Sequence, residues 1–119
     1  MQDSILVVSA NEQHCLELCA ALEGEDYRIR LLDSLEHLAG GIKGDDCCLA
    51  ILDLDSLPVD NRLIRKLKRK NPSLRIIGIS SRSFHPELQE AMSSHIYACL
   101  SKPVDEEELV FWVKSSLEV

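Results

Sequence analysis

Cys47-Cys48-Leu49-Ala50-Ile51-Leu52-Asp53 is an unbroken apolar run closed by a carboxylate. No polar residue interrupts it, so a strand built on it has no wet face. That is the pattern of a central strand in a parallel sheet with helices packed on both sides. Similar runs flank it. Ile5-Leu6-Val7-Val8 is short and β-branched and ends in Ser9-Ala10-Asn11. Arg75 to Ile79 ends in Ser80, and Ile96 to Leu100 is followed by Ser101-Lys102-Pro103. Tyr27 to Leu32 differs: Tyr27, Ile29 and Leu31 alternate with Arg28 and Arg30, which reads as a half-exposed strand at a sheet edge.

Between the runs lie amphipathic stretches. Asn11 to Glu23 carries Leu16, Cys19, Ala20 and Leu22 at helical spacing, with Asn11 as N-cap and Gly24 as terminator. Ser34 caps a short helix that Gly40, Gly41 and Gly44 break. Asp60 or Asn61 opens a helix to about Lys70, stopped by Asn71-Pro72. Pro86 to Ser94 rests on Leu88, Ala91 and Met92, and Val104-Asp105-Glu106-Glu107-Glu108 loads the first turn of the last helix with acids, as its dipole favours. This alternation predicts a single α/β domain over residues 1–119: a three-layer (βα)5 sandwich with a parallel sheet. A polar second strand gives the order 2-1-3-4-5, whose switch point between strands 1 and 3 falls at Asp53.

A chain of 119 residues supports one core, and a formal charge of −7 argues against a face that grips nucleic acid. No stretch approaches a membrane span, and Met1-Gln2-Asp3-Ser4 lacks a secretory n-region, so a cytoplasmic chain is expected. The five cysteines form no C-x-x-C pair and read as reduced, small hydrophobes. His14, His37, His85 and His95 are scattered without ligand spacing.

If the runs are parallel strands, Asp53, Ser80 and Lys102 all meet at the carboxyl edge of the sheet, where open α/β sheets place their chemistry. A carboxylate, a hydroxyl and an ammonium there suit the handling of a phosphoryl group. On Ile51-Leu52-Asp53-Leu54, Ser80, Lys102-Pro103 and Asp60-Asn61, the whole chain resembles the receiver domain of bacterial two-component response regulators, a flavodoxin-like fold. The resemblance implies a signal-transduction role in a phosphorelay, not an enzyme. It makes Asp53 the acceptor of a phosphoryl group from a sensor histidine kinase or another phosphodonor protein. Ser80 then bonds the phosphoryl oxygens and Lys102 pairs with their charge. It also implies a Mg2+ site. The family's acidic pair after strand 1, which holds that metal, is Ser9-Ala10 here. Asp53 and Asp55 are then the remaining candidate Mg2+ ligands, with Glu12 more remote, and metal binding is expected to be weak by Coulomb reasoning. Pro58 lies one residue later than the family's proline, and Cys99 stands where many receivers carry an aromatic.

Two alternatives stand beside the phosphoacceptor. One is a phosphorylation-independent pseudo-receiver that acts as a protein-interaction module. The other is a flavin- or nucleotide-binding protein, which Ser9-Ala10-Asn11-Glu12-Gln13 disfavours because it has no glycine and an acid that repels phosphate. No Ser-His or Cys-His arrangement for a hydrolase falls at the sheet edge. Leu109-Val110-Phe111-Trp112-Val113 is apolar on more than one helical face, so Phe111 and Trp112 cannot both be core. They are the candidate contact surface, including for a homodimer through the fourth helix, fifth strand and last helix. The cations from Arg62 to Lys70 read as a solvated face. The domain could stand alone or form the N-terminal part of a longer regulator.

Overall fold

The computed structural model describes residues 3–24, 27–33, 49–82 and 86–117. Five strands, β1 (Asp3–Val8), β2 (Tyr27–Leu32), β3 (Leu49–Asp53), β4 (Arg75–Ser80) and β5 (Ala98–Ser101), form one sheet in the order β2-β1-β3-β4-β5. Every neighbouring pair is parallel. The helices are α1 (Glu12–Leu22), α2 (Asn61–Lys70), α3 (Gln89–Ser94) and α4 (Glu106–Leu117), with a 3-10 turn at Pro86–Leu88 before α3. The expected helix from Ser34, its Gly40, Gly41 and Gly44, the cysteines Cys47 and Cys48, and His37 and His85 lie outside the described residues.

Period-two alternation sorts the core into two layers. Ile5, Val7, Leu49, Ile51, Ile77 and Ile79 point to one face, where α1 lays Cys15, Leu18 and Leu22 and α4 lays Leu109 and Val113. Leu6, Val8, Ala50, Leu52 and Ile76 point to the other, beneath Ile64 and Leu67 of α2 and Ala91 of α3. All of β3 is buried, as its unbroken apolar run requires, whereas β2 at the sheet edge alternates from Tyr27 to Arg30 and then breaks the pattern, with Leu31 exposed and Leu32 half-buried. Gly78 pairs with Leu52 in this sheet, and a Cβ there would lie 2.9 Å from Leu54 Cδ1, so the glycine makes room for Leu54.

Caps set the helix ends. Asn11 Oδ1 accepts from the His14 amide, and Gly24, at φ 91°, follows the end of α1. Asp60, not Asn61, caps α2 by accepting from the Leu63 amide. Asn61 instead reaches across: its Oδ1 accepts from the Ala91 amide in α3, whose own N-cap, Leu88, supplies no side-chain acceptor. Asp105 accepts from the Glu107 and Glu108 amides at the start of α4. The last strand starts at Ala98 rather than Ile96, because the His95 and Ile96 amides still close the α3 turn on the Ala91 carbonyl. Among the described residues, no helix is long and apolar enough to cross a membrane.

Candidate functional site

Register places the site. Asp53 pairs with Ile79 and Ser80 with Ser101, so the carboxyl ends of β3, β4 and β5 are level. Strand β1 ends at Val8 opposite Leu52, which brings Ser9 and the first turn of α1 to the same edge.

Asp53 is 1% exposed. Its Oδ1 accepts from Lys102 Nζ at 2.8 Å and from the Asp55 amide at 3.2 Å. Its Oδ2 accepts from Ser9 Oγ at 2.7 Å, with His14 Nδ1 at 3.3 Å. Ser9 Oγ also accepts from the Asn11 amide and lies 3.3 Å from Ser56 Oγ. Ser56 Oγ in turn accepts from the Ala10 amide, so the β1–α1 turn and the β3–α2 turn are tied together. Burial alone would raise the Asp53 pKa, but hydrogen bonds from Lys102, Ser9 and Ser56 overcome it and hold the group at about 2.

A second carboxylate lies beside the first. Asp55 Oδ1 accepts from Ser80 Oγ at 2.8 Å. Its Oδ2 accepts from the Ser81 amide at 2.8 Å and Ser81 Oγ at 2.9 Å, and Lys102 Nζ is 3.1 Å away. Its burial opposes ionisation, yet the Ser81 amide and the Ser80, Lys102 and Ser81 side chains carry its pKa well below the ordinary carboxylate range. Lys102 therefore bridges two anions. Partial burial works against its charge, but Asp53 and Asp55 raise its pKa above the usual lysine value. Lys102 is anchored by its amide on the Ser80 carbonyl and is joined to Pro103 by a cis peptide bond.

The structure thus brings Asp53 and Lys102 into contact, while Ser80 turns to Asp55 rather than to Asp53. Two residues at this edge carry more than the sequence suggested. Ser9 is a donor to Asp53, and His14, read as one of four scattered histidines, faces the same oxygen. The signal for His14 was present: α1 starts at the carboxyl end of β1, so its first turn overhangs the site.

The family model for the response regulator receiver domain matches residues 5–114. The chain belongs to the response regulator receiver domain family. Its fold is close to that of a signal receiver domain of an HD domain-containing protein from Pseudomonas fluorescens Pf-5, at a TM-score of 0.88 and 22% identity, over 99% of this chain and 96% of that one. A CheY-like response regulator receiver domain protein from Methanospirillum hungatei JF-1 gives 0.87 and 18%, over 99% and 95%. A pilus assembly protein (cpaE) from Burkholderia thailandensis E264 gives 0.83 and 20%, over 99% and 100%. At these identities the likeness speaks for the fold. No curated relative matches the sequence. The receiver domain is a signal-transduction module, and receivers interact with kinases or phosphodonors.

The receiver's edge does not fit the Mg2+ ion that the family implies. A divalent cation needs carboxylate oxygens with lone pairs free to face it. Here each oxygen of Asp53 and Asp55 already accepts from a protein donor, and a cation drawn to them would have to compete with the Lys102 ammonium that bridges both. Where the family's acidic pair begins, Ser9 offers a proton to Asp53 instead of a charge to a metal. Among the described residues no three His, Cys, Asp or Glu side chains converge on a cation site. Glu12 borders a groove with Ser9 and Ala10 beside β2.

On the helical face beyond the site, Phe111 is 61% exposed and Trp112 half-buried. Trp112 packs edge-on against both Phe111 and Tyr97, at 5.3 and 5.9 Å between ring centroids, and joins the α1–α4 core layer. Arg75 lies over the Tyr97 ring at 5.6 Å.

Proposed function

We propose that this receiver domain transmits signals as a protein-interaction module whose acceptor pocket is closed on itself, so that Asp53 takes neither Mg2+ nor a phosphoryl group. The observation that carries this reading is the 2.7 Å bond from Ser9 Oγ to the oxygen of Asp53 that Lys102 leaves open. A nucleophilic carboxylate must turn a lone pair toward phosphorus, and a phosphoryl in flight needs fixed positive charge around its oxygens. In this pocket both Asp53 oxygens already accept from internal donors, and the ammonium of Lys102 is shared between Asp53 and Asp55. Phe111, with the outer edge of Trp112, offers the exposed aromatic surface through which a partner or a second copy would dock.

A second reading has one observation in its favour. Asp53 is ionised and touches Lys102 at the edge where a phosphodonor would arrive. In that reading a sensor histidine kinase or another phosphodonor protein supplies the group. An Asp53 oxygen forms a P–O bond as the donor's P–N bond breaks, and the released imidazole nitrogen takes a proton from water. Ser80 and Lys102 would then have to leave Asp55 to meet the phosphoryl oxygens. Intact mass after incubation with acetyl phosphate and Mg2+ separates the two. The closed pocket predicts no adduct; a phosphoryl adduct present in the wild type and absent from Asp53→Asn overturns it.

A further inference from the structure

A hydroxyl, a backbone amide, a second hydroxyl and an ammonium, from the ends of two different strands, converge on the Asp55 carboxylate. They are Ser80 Oγ at 2.8 Å, Ser81 N at 2.8 Å, Ser81 Oγ at 2.9 Å and Lys102 Nζ at 3.1 Å. Such a set of donors is the chemistry of an oxyanion site, in which N–H, O–H and ammonium groups share the oxygens of one anion. Here the anion is supplied by the chain itself, from the turn that follows β3. Ser80 Oγ is fixed further by accepting from the Arg82 amide, so the contact also orders the segment leaving β4.

We infer that Asp55 is an intramolecular oxyanion ligand that holds the ends of β4 and β5 in an anion-occupied state, so that Asp55 and not Asp53 sets the conformation presented by this side of the domain. The inference rests on the closed-pocket reading, since a site already filled has no need of an added phosphoryl group. An external oxyanion can use these donors only after displacing Asp55. Because Lys102 spans both carboxylates, the two pockets are one charge network with Asp55 at its outer end.

Amide hydrogen exchange and amide NMR signals of the whole domain test this in the wild type, Asp53→Asn, Asp55→Asn and Asp55→Ala. Loss of the Asp55 charge should speed exchange at Ser81 by about tenfold or more, the effect of losing a charge-assisted bond. It should also shift the signals of Ser80, Arg82 and Lys102, whereas Asp53→Asn, which reaches Asp55 only through Lys102, should change the Ser81 rate far less than either Asp55 variant. Inorganic phosphate should slow the Ser81 amide again in Asp55→Ala and leave the wild type unaffected. Unchanged Ser81 exchange in both Asp55 variants overturns the inference, as does an equal effect of Asp53→Asn. Absence of any phosphate effect in Asp55→Ala would make Asp55 a strut rather than an anion surrogate. If Asp55→Ala does not fold, Asp55→Asn with phosphate decides in the same way. A phosphoryl adduct on Asp53 would defeat the closed-pocket reading while leaving the Ser81 measurement intact, so the two failures are told apart.

Discussion

At the scale of single residues, the site is decided by which donor meets which carboxylate oxygen. Lys102 neutralises two acids, one of them 1% exposed. Lys102→Met leaves both charges without their ammonium, and removal of one partner from a buried pair costs about 3–5 kcal/mol. Because Lys102 is itself 26% exposed, the expected loss lies at the lower end, about 3 kcal/mol by urea unfolding. Ser9→Ala removes one donor from the same pocket and should cost about 1–3 kcal/mol. The acid response has a definite sign. Asp53 titrates at about 2 in the fold against an ordinary 3.8, so its contribution is complete above 3.8 and disappears as the pH falls to about 2. That contribution is about 2 kcal/mol. Asp55 shifts in the same direction and extends the loss to lower pH. Asp53→Asn should therefore flatten the stability-against-pH curve in that window; an unaltered curve would show that Asp53 is not held by its donors. Asp53 and Lys102 were legible in the sequence because each ends an apolar run at the same sheet edge. The turn of Ser80 to Asp55 was not legible. It depends on the path of the β3–α2 turn, which places Asp55 beside β4, and no periodicity encodes that path.

At the scale of elements, the fold was almost wholly legible. An uninterrupted apolar β3 must be central, an alternating β2 must be an edge, and parallel neighbours need helical crossovers. What failed were the ends, set by competition for individual carbonyls, and the buried face of α1, where Leu16 is 50% exposed and Cys15 and Leu18 join Leu22 in the core. Ile96 looks like strand, yet its amide belongs to the Ala91 carbonyl of α3. Helix α2 shows how much a cap can carry. It holds six cations and has no acid in its first turn, so Asp60 alone of the side chains beside its start offers a negative charge to the helix dipole. Asp60→Ala should cost about 1 kcal/mol, and added salt should recover part of the loss by screening the cations. Asn61→Ala should cost about 1 kcal/mol for a different reason, because it strands the Ala91 amide and loosens α3 from α2. Amide exchange at Ala91 checks it: faster exchange in Asn61→Ala and not in Asp60→Ala is the expected pattern.

At the scale of the molecule, the domain keeps the receiver architecture while its edge chemistry is complete within the chain. The pocket uses Ser9, Lys102 and the Asp55 amide to hold one carboxylate, and Ser80, Ser81 and Lys102 to hold the next. Restoring the acids of the family with Ser9→Asp and Ala10→Asp would place like charges beside Asp53, raise its pKa without metal, and create the oxygen-rich site that Mg2+ prefers. Metal-free stability should fall and recover with Mg2+, while the wild type shows no Mg2+-dependent shift in melting temperature. The most direct test of the account is intact mass after acetyl phosphate and Mg2+ for the wild type beside this double variant. A closed pocket leaves the wild type unmodified, with any phosphoryl adduct confined to the restored variant. A wild type that carries the adduct, and loses it in Asp53→Asn, would contradict the account and make Asp53 a working acceptor.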